Sequence, residues 1–362
     1  MSKTALAGVT CALAYAVVAL VKLGAAGQLP DTYFDEGSIP AVAYATQSPQ
    51  DPIAQLNTKL ADGSLMLTSE PNSGYLRAAL RALQIPVESQ LAVFSKTSVQ
   101  ANIIDPANPR SLFFNDSVVV GWPSGGFIEA ASVDPQLGVI FYALDQRASA
   151  APRFERVRSC TSCHVALEAT LSIPGMLLRS EPTLINGMAM PQLGNYVVDH
   201  RLPIAERWGG WYVTGRNIGI ASLGNVMLPE SVDRDAPVRP QTIELTTLPE
   251  SVGASGYLSR YSDIAALMVF VHQMHMTNLL ARMSWEARAA KGRADADALI
   301  DTVAREVVDY MLFVGKRRCP PHSKAVPALL NGSRHRDHTI VAEDHCDSWT
   351  WSNASCAIRA VT

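Results

Sequence analysis

The sequence predicts an α+β protein, and three observations carry that prediction. Residues 91–94, 111–122, 126–133 and 138–144 are short β-branched and aromatic runs. Turn residues such as Asp105-Pro106 and Pro123-Ser124-Gly125-Gly126 set them apart. They read as four antiparallel strands forming a small sheet. Two long stretches of helical apolar spacing follow nearer the C-terminus, at 261–290 and 293–314, with Gly292 between them. They read as an antiparallel helical hairpin. Between these halves stands Cys160-Thr161-Ser162-Cys163-His164.

In chain order, residues 1–26 read as an export signal. Lys3 supplies a positive start, residues 5–21 form an apolar run, and Gly24-Ala25-Ala26 offers small residues for cleavage. The alternative is a retained N-terminal anchor, for which the run is at the short limit. Residues 27–50 are Pro-, Gly- and Ser-bearing and read as a linker. Asp51-Pro52 is a helix start, with Asp as N-cap and Pro at the first position, and Ile53, Leu56 and Leu60 follow at helical spacing. Leu76, Leu80 and Leu83 repeat the pattern. A short helix is expected after the Cys–His run, over 165–171, broken by Pro174-Gly175. The block Arg207-Trp208-Gly209-Gly210-Trp211 has two readings: a backbone that approaches a flat, bulky group such as a haem, through Trp208 and Trp211, or a tight strand turn under an aromatic core. Residues 317–362 hold three of the six cysteines and four of the eight histidines with little periodicity, and read as an irregular tail. A disulfide among Cys319, Cys346 and Cys356 is chemically possible in the periplasm and would leave one thiol over, while His335, His338, His345 and Cys346 match no familiar zinc spacing. The main domain is thus expected at 51–316.

The C-x-x-C-H run carries the chemistry. Two cysteines at this spacing each form a thioether to one vinyl group of the same haem, and the following histidine is placed as proximal axial ligand. A zinc site would need a second C-x-x-C, which the chain lacks; a thioredoxin-like pair would want a βαβ setting and has no use for the histidine. Cys160 and Cys163 are therefore read as covalent haem attachments and His164 as the proximal iron ligand. Export and covalent haem support each other, because attachment takes place beyond the bacterial inner membrane. The expected location is the periplasm. A net charge of −3 and the absence of a polybasic run give no reason to expect nucleic acid or an anionic membrane surface as partner.

The sixth iron position decides the chemistry. Val271-His272-Gln273-Met274-His275-Met276 is the densest supply of ligands. His272 and Met276 share a helical face, while His275 sides with Val271 and Leu279. His272 is the first candidate, with His200, Met276 and His275 as alternatives, and Met176, Met188, Met190 and Met227 further off. If the position is open, Asp199, His200 and Arg201 are the acid–base candidates.

Several strings add a resemblance: residues 91–100 (LAVFSKTSVQ), 108–110, 112–122 (LFFNDSVVVGW), 132–146 (SVDPQLGVIFYALDQ), the C-x-x-C-H run, 199–203 (DHRLP), 207–215 (RWGGWYVTG) and the His272-Gln273 helix. Over roughly residues 51–316 the chain resembles an uncharacterised group of exported bacterial proteins that carry one c-type haem motif each. The resemblance implies a haem-bearing, exported redox protein, and gives weight to His200 and His272. The tail departs from that pattern. Two functions are expected from these readings. One is a mono-haem electron carrier serving a redox partner protein or a membrane electron-transfer complex. The other is a haem oxidoreductase, peroxidase-like or acting on a small substrate.

Overall fold

The structure, a computed structural model, describes residues 41–314 apart from 148, 150, 217–218 and 254–256. The expected signal and the expected tail lie outside the described residues. Of the stretch expected as linker, residues 41–50 lie against the body: Val42 is buried, and Tyr44 donates from its hydroxyl to Val139 O at 2.7 Å.

The fold is α+β. A seven-stranded antiparallel sheet lies between small N-terminal helices and one long helix. Its strands are β1 (Leu91–Val93), β2 (Arg110–Phe114), β3 (Val118–Trp122), β4 (Ile128–Asp134), β5 (Gly138–Leu144), β6 (Glu155–Arg156) and β7 (Trp211–Tyr212). The order across the sheet is β7-β1-β2-β3-β4-β5-β6, so the first six run as a meander and β7 returns from far along the chain to cover the β1 edge. The single run expected over 111–122 is in fact the β2–β3 hairpin. Asn115 makes the turn: its Oδ1 accepts from Ser117 N and Val118 N at 3.0 and 2.9 Å, a local side-chain loop that replaces ladder pairing.

Alternation along the strands sorts side chains to two faces. One face (Phe113, Val118, Val120, Ile128, Ala130, Ile140, Tyr142) packs on α1 (Pro52–Ala61) and α2 (Leu76–Ala82) through Ile53, Leu56, Leu76 and Leu80. Asp51 caps α1 as expected, accepting from Ile53 N at 2.9 Å, and its other oxygen accepts from the Tyr142 hydroxyl at 2.5 Å. The opposite face (Leu91, Val93, Leu112, Phe114, Val139, Phe141) meets the long helix through Ile264, Leu267, Phe270, Val271 and Met274.

Two four-residue helices, α3 (Thr161–His164) and α4 (Leu167–Thr170), follow β6. The hairpin expected near the C-terminus is present: α5 (Ile264–Ala290) is capped by Asp263, whose carboxylate accepts from Ala265 N at 2.8 Å, and α6 (Ala296–Met311) packs back on it. Gly292, at φ +85°, makes the reversal between them. By length and composition α5 is the one described helix able to cross a membrane. Here 61% of that apolar window is buried inside the fold, which makes it a core helix.

The Gly/Trp block makes a strand turn. Trp208 (φ +67°) and Gly210 (φ +83°) bend the chain into β7, where Trp211 and Tyr212 pair with Val93 and Ala92. What the glycines approach closely is backbone and small side chains: a Cβ on Gly209 would sit 2.7 Å from Glu181 O, and one on Gly210 2.7 Å from Ser95 Cβ. Trp208 and Trp211 are buried in the core between sheet and α5, and Trp211 Nε1 donates to Arg179 O at 3.0 Å.

Candidate functional site

The Cys–His run leaves β6 on the α5 side of the sheet. Cys160 is half-buried against the core that includes Phe141 and Met274, Cys163 is exposed, and neither is in a disulfide. Burial first, then the negative charges of Glu129 and Cys163, push the Cys160 thiol up to about 12. It is therefore a neutral thiol rather than a reactive thiolate at neutral pH.

His164 is held from two directions. Its ring packs on Phe141 with centroids 4.5 Å apart. Its Nδ1 lies 3.0 Å from Gly175 O, and Gly175 N donates back to His164 O at 3.0 Å. A carbonyl can only accept, so Nδ1 carries the proton and Nε2 keeps its lone pair. Burial lowers the pKa of the ring despite the Gly175 bond. A neutral imidazole with Nδ1–H tied to a carbonyl and Nε2 bare is the form that ligates a metal, in the orientation such second partners impose. Two unpaired thiols and this histidine on one short helical turn fit covalent haem. Nearby on the sheet, Arg110 Nη1 and Glu129 Oε2 pair at 2.8 Å, and Glu129 also accepts from Ser98 and Gln100. Burial would raise the Glu129 carboxyl, but Arg110 and those hydrogen bonds hold it below the usual range.

The remaining candidates gather in a second cluster, which joins the 198–207 loop to α5 and α6. His200 and His272 face each other with Nδ1 atoms 2.9 Å apart. The Tyr310 ring stacks on His200 at 4.0 Å and on His272 at 5.0 Å, and the Phe313 ring covers both. His275 packs on Tyr310 from one turn further along α5 and accepts from Arg201 Nη2 at 3.1 Å. Arg201 in turn pairs with Asp199 at 2.5 Å and lies over the Tyr310 ring. Burial would raise the Asp199 carboxyl, but the Arg201 hydrogen bonds keep it low. Burial, then His272, depresses His200 to about 3, and burial depresses His275 to about 4. All of this leaves His200 and His275 neutral. His200 Nε2 is buried without a protein hydrogen-bond partner.

His200 is thus a buried partner of His272, and Asp199 and Arg201 satisfy each other. The ring contacts described for the three imidazoles run to one another, Tyr310 and Phe313, not to His164. Met276 packs instead against the Leu279–Val307–Tyr310 cluster, and Met188 is exposed. Among the described residues, no group of three or more His, Cys, Asp or Glu side chains is arranged to hold a bare metal ion. Sequence reading treated Gly175 only as a helix breaker and passed over Asn278 and Phe313. Asn278 beside Leu279 and Leu280 in a helix of core spacing was the available signal, since an uncharged amide in a helix core demands partners.

Comparison with protein-family models, with curated proteins and with solved structures finds no match.

Proposed function

We propose that the chain is an exported, periplasmic mono-haem c-type cytochrome that transfers electrons to a redox partner protein or a membrane electron-transfer complex. On this reading it belongs with the exported single-haem-motif proteins its strings resemble. The Cys160 and Cys163 thiols would hold the haem covalently, each through a thioether formed by adding its S–H across one vinyl group, and His164 Nε2 would ligate the iron. Bound haem would contribute a one-electron ferric/ferrous couple. The observation that carries the reading is the His164 Nδ1–H···O=C bond to Gly175, which reserves Nε2 for a metal. The test is expression with the signal intact in a host that attaches c-type haem. Haem that stays with the polypeptide on a denaturing gel, and is lost in Cys160→Ser/Cys163→Ser, is expected. Wild-type protein without covalent haem overturns the reading.

A second reading rests on the buried imidazole cluster, which a plain carrier does not need. If the sixth iron position is open, Asp199, His200 and Arg201 serve peroxidase-like or small-substrate chemistry. Near-infrared magnetic circular dichroism of the ferric protein separates the two. Six-coordinate bis-histidine or histidine–methionine iron supports the carrier, and high-spin iron with peroxide turnover lost in His200→Ala supports the enzyme.

A further inference from the structure

The peptide group between Gly175 and Met176 is gripped at both ends. Its carbonyl accepts from His164 Nδ1 at 3.0 Å, and its N–H donates to Asn278 Oδ1 at 2.7 Å. A peptide unit is planar, so fixing the N–H direction fixes the carbonyl direction as well. Asn278 makes two more bonds, from Nδ2 to Met176 O at 2.8 Å and to Ala169 O at 3.1 Å. One side chain therefore ties both ends of the 169–176 turn to α5. It is 1% exposed, so no water competes for these groups. Gly175 has no room for a side chain beside it: a Cβ there would lie 2.6 Å from Asn278 Oδ1.

From this geometry we propose that Asn278 is the positioning residue of the axial histidine, acting through the chain His164 Nδ1–H···O=C–N–H···Oδ1 Asn278. The proposal rests on the haem reading above and adds how that site is tuned. Two effects follow. Asn278 aims the Gly175 carbonyl at Nδ1, which sets the rotation of the imidazole ring. It also polarises the peptide, because hydrogen bonds in a chain strengthen one another. A stronger acceptor at Nδ1–H gives the imidazole more imidazolate character, makes Nε2 a better donor, and favours ferric over ferrous iron. Since Asn278 stands in the middle of α5, the rigid helix rather than the surface turn sets the ligand field.

The test uses the exported holoprotein and compares wild type, Asn278→Ala, Asn278→Asp and, as a control for stability alone, Leu80→Ala in the core on the far side of the sheet. In Asn278→Ala the covalent haem is retained, the reduction potential rises, the ferric electron paramagnetic resonance signal shifts, and amide exchange at Met176 quickens by about tenfold or more, the equivalent of one lost hydrogen bond. Asn278→Asp keeps an acceptor for the Met176 N–H but loses both Nδ2 bonds and buries a carboxylate, which polarises the peptide further, so its potential falls below wild type instead of rising. Leu80→Ala loses stability with potential and ferric signal unchanged. Should Asn278→Ala not fold, Asn278→Ser, too short to span Met176 and Ala169 together, carries the same expectation. A haem-bearing Asn278 variant with wild-type potential and ferric signal overturns the proposal and leaves the haem reading standing. Wild type without covalent haem removes both.

Discussion

Acid should loosen this fold well before its carboxylates titrate, because two histidines are buried in neutral form. His200 is 5% and His275 6% exposed, and burial depresses them to about 3 and about 4. In the unfolded chain each returns to about 6.5. Above that pH both are neutral in either state and exert no effect. As pH falls below it, the unfolded chain binds protons that the fold refuses, so stability declines until the folded values are reached. At pH 5 the difference is about 2 kcal/mol for each histidine and about 4 kcal/mol for the pair. That is a large fraction of the 5–15 kcal/mol typical of a folded domain. The groups facing the two rings are Asp199, Arg201, Arg207, His272 and Tyr310. Asp199, held low by Arg201, titrates below this window.

The assay is chemical denaturation of the holoprotein at half-unit steps from pH 7.5 to 5. The slope should reach about two protons taken up on unfolding, with His164 adding to His200 and His275 wherever it is not held by iron. His275→Gln keeps an acceptor for Arg201 and removes one titration, so the slope should fall by about one proton. Equal stability at pH 7.5 and pH 5, or an unchanged slope in His275→Gln, would refute the reasoning.

Two further substitutions test the fold around the site. Asp51→Ala removes both the α1 cap and the buried acceptor of the Tyr142 hydroxyl, and should lower stability by about 2–4 kcal/mol in thermal or denaturant unfolding; Tyr142→Phe, which deletes only the second bond, should lose less. Gly210→Ala combines a φ of +83° with a Cβ 2.7 Å from Ser95 Cβ, so it should destabilise by about 2 kcal/mol or more and speed amide exchange at Trp211 and Tyr212 as β7 leaves the sheet edge.

Elements with a local signal were legible in the sequence. Asp51-Pro52, the alternating strands and the periodic stretches around Gly292 each encode their structure within about a dozen residues. Features built by distant pairing were not. The Asn115 turn carried a local signal, Asn115-Asp116-Ser117 inside the 111–122 run, but the strong strand-formers on both sides made the two strands read as one. β7 has only two paired residues, and its partners lie more than a hundred positions earlier. The same division runs through the site. Cys160, Cys163 and His164 are legible because they lie within five residues of one another. The His200–His272 contact spans 72 positions and the Met176–Asn278 bond 102, so spacing supplied the residue types without the pairing.

The long helix accounts for why the motif sits mid-chain rather than near the start, as in compact all-helical carriers. Here six of the seven strands come first, and β5 presents Phe141 to the His164 ring. The chain then returns through β7 to the sheet before α5 lies across the same face. α5 meets the haem motif's turn at Asn278 and the imidazole cluster at His272 and His275, within two helical turns of each other. One helix thus contacts both the turn that orients His164 and the 199–201 loop. On the haem reading proposed above, the cluster of His200, His272 and His275 therefore belongs to the surroundings of His164 even without a bond to iron.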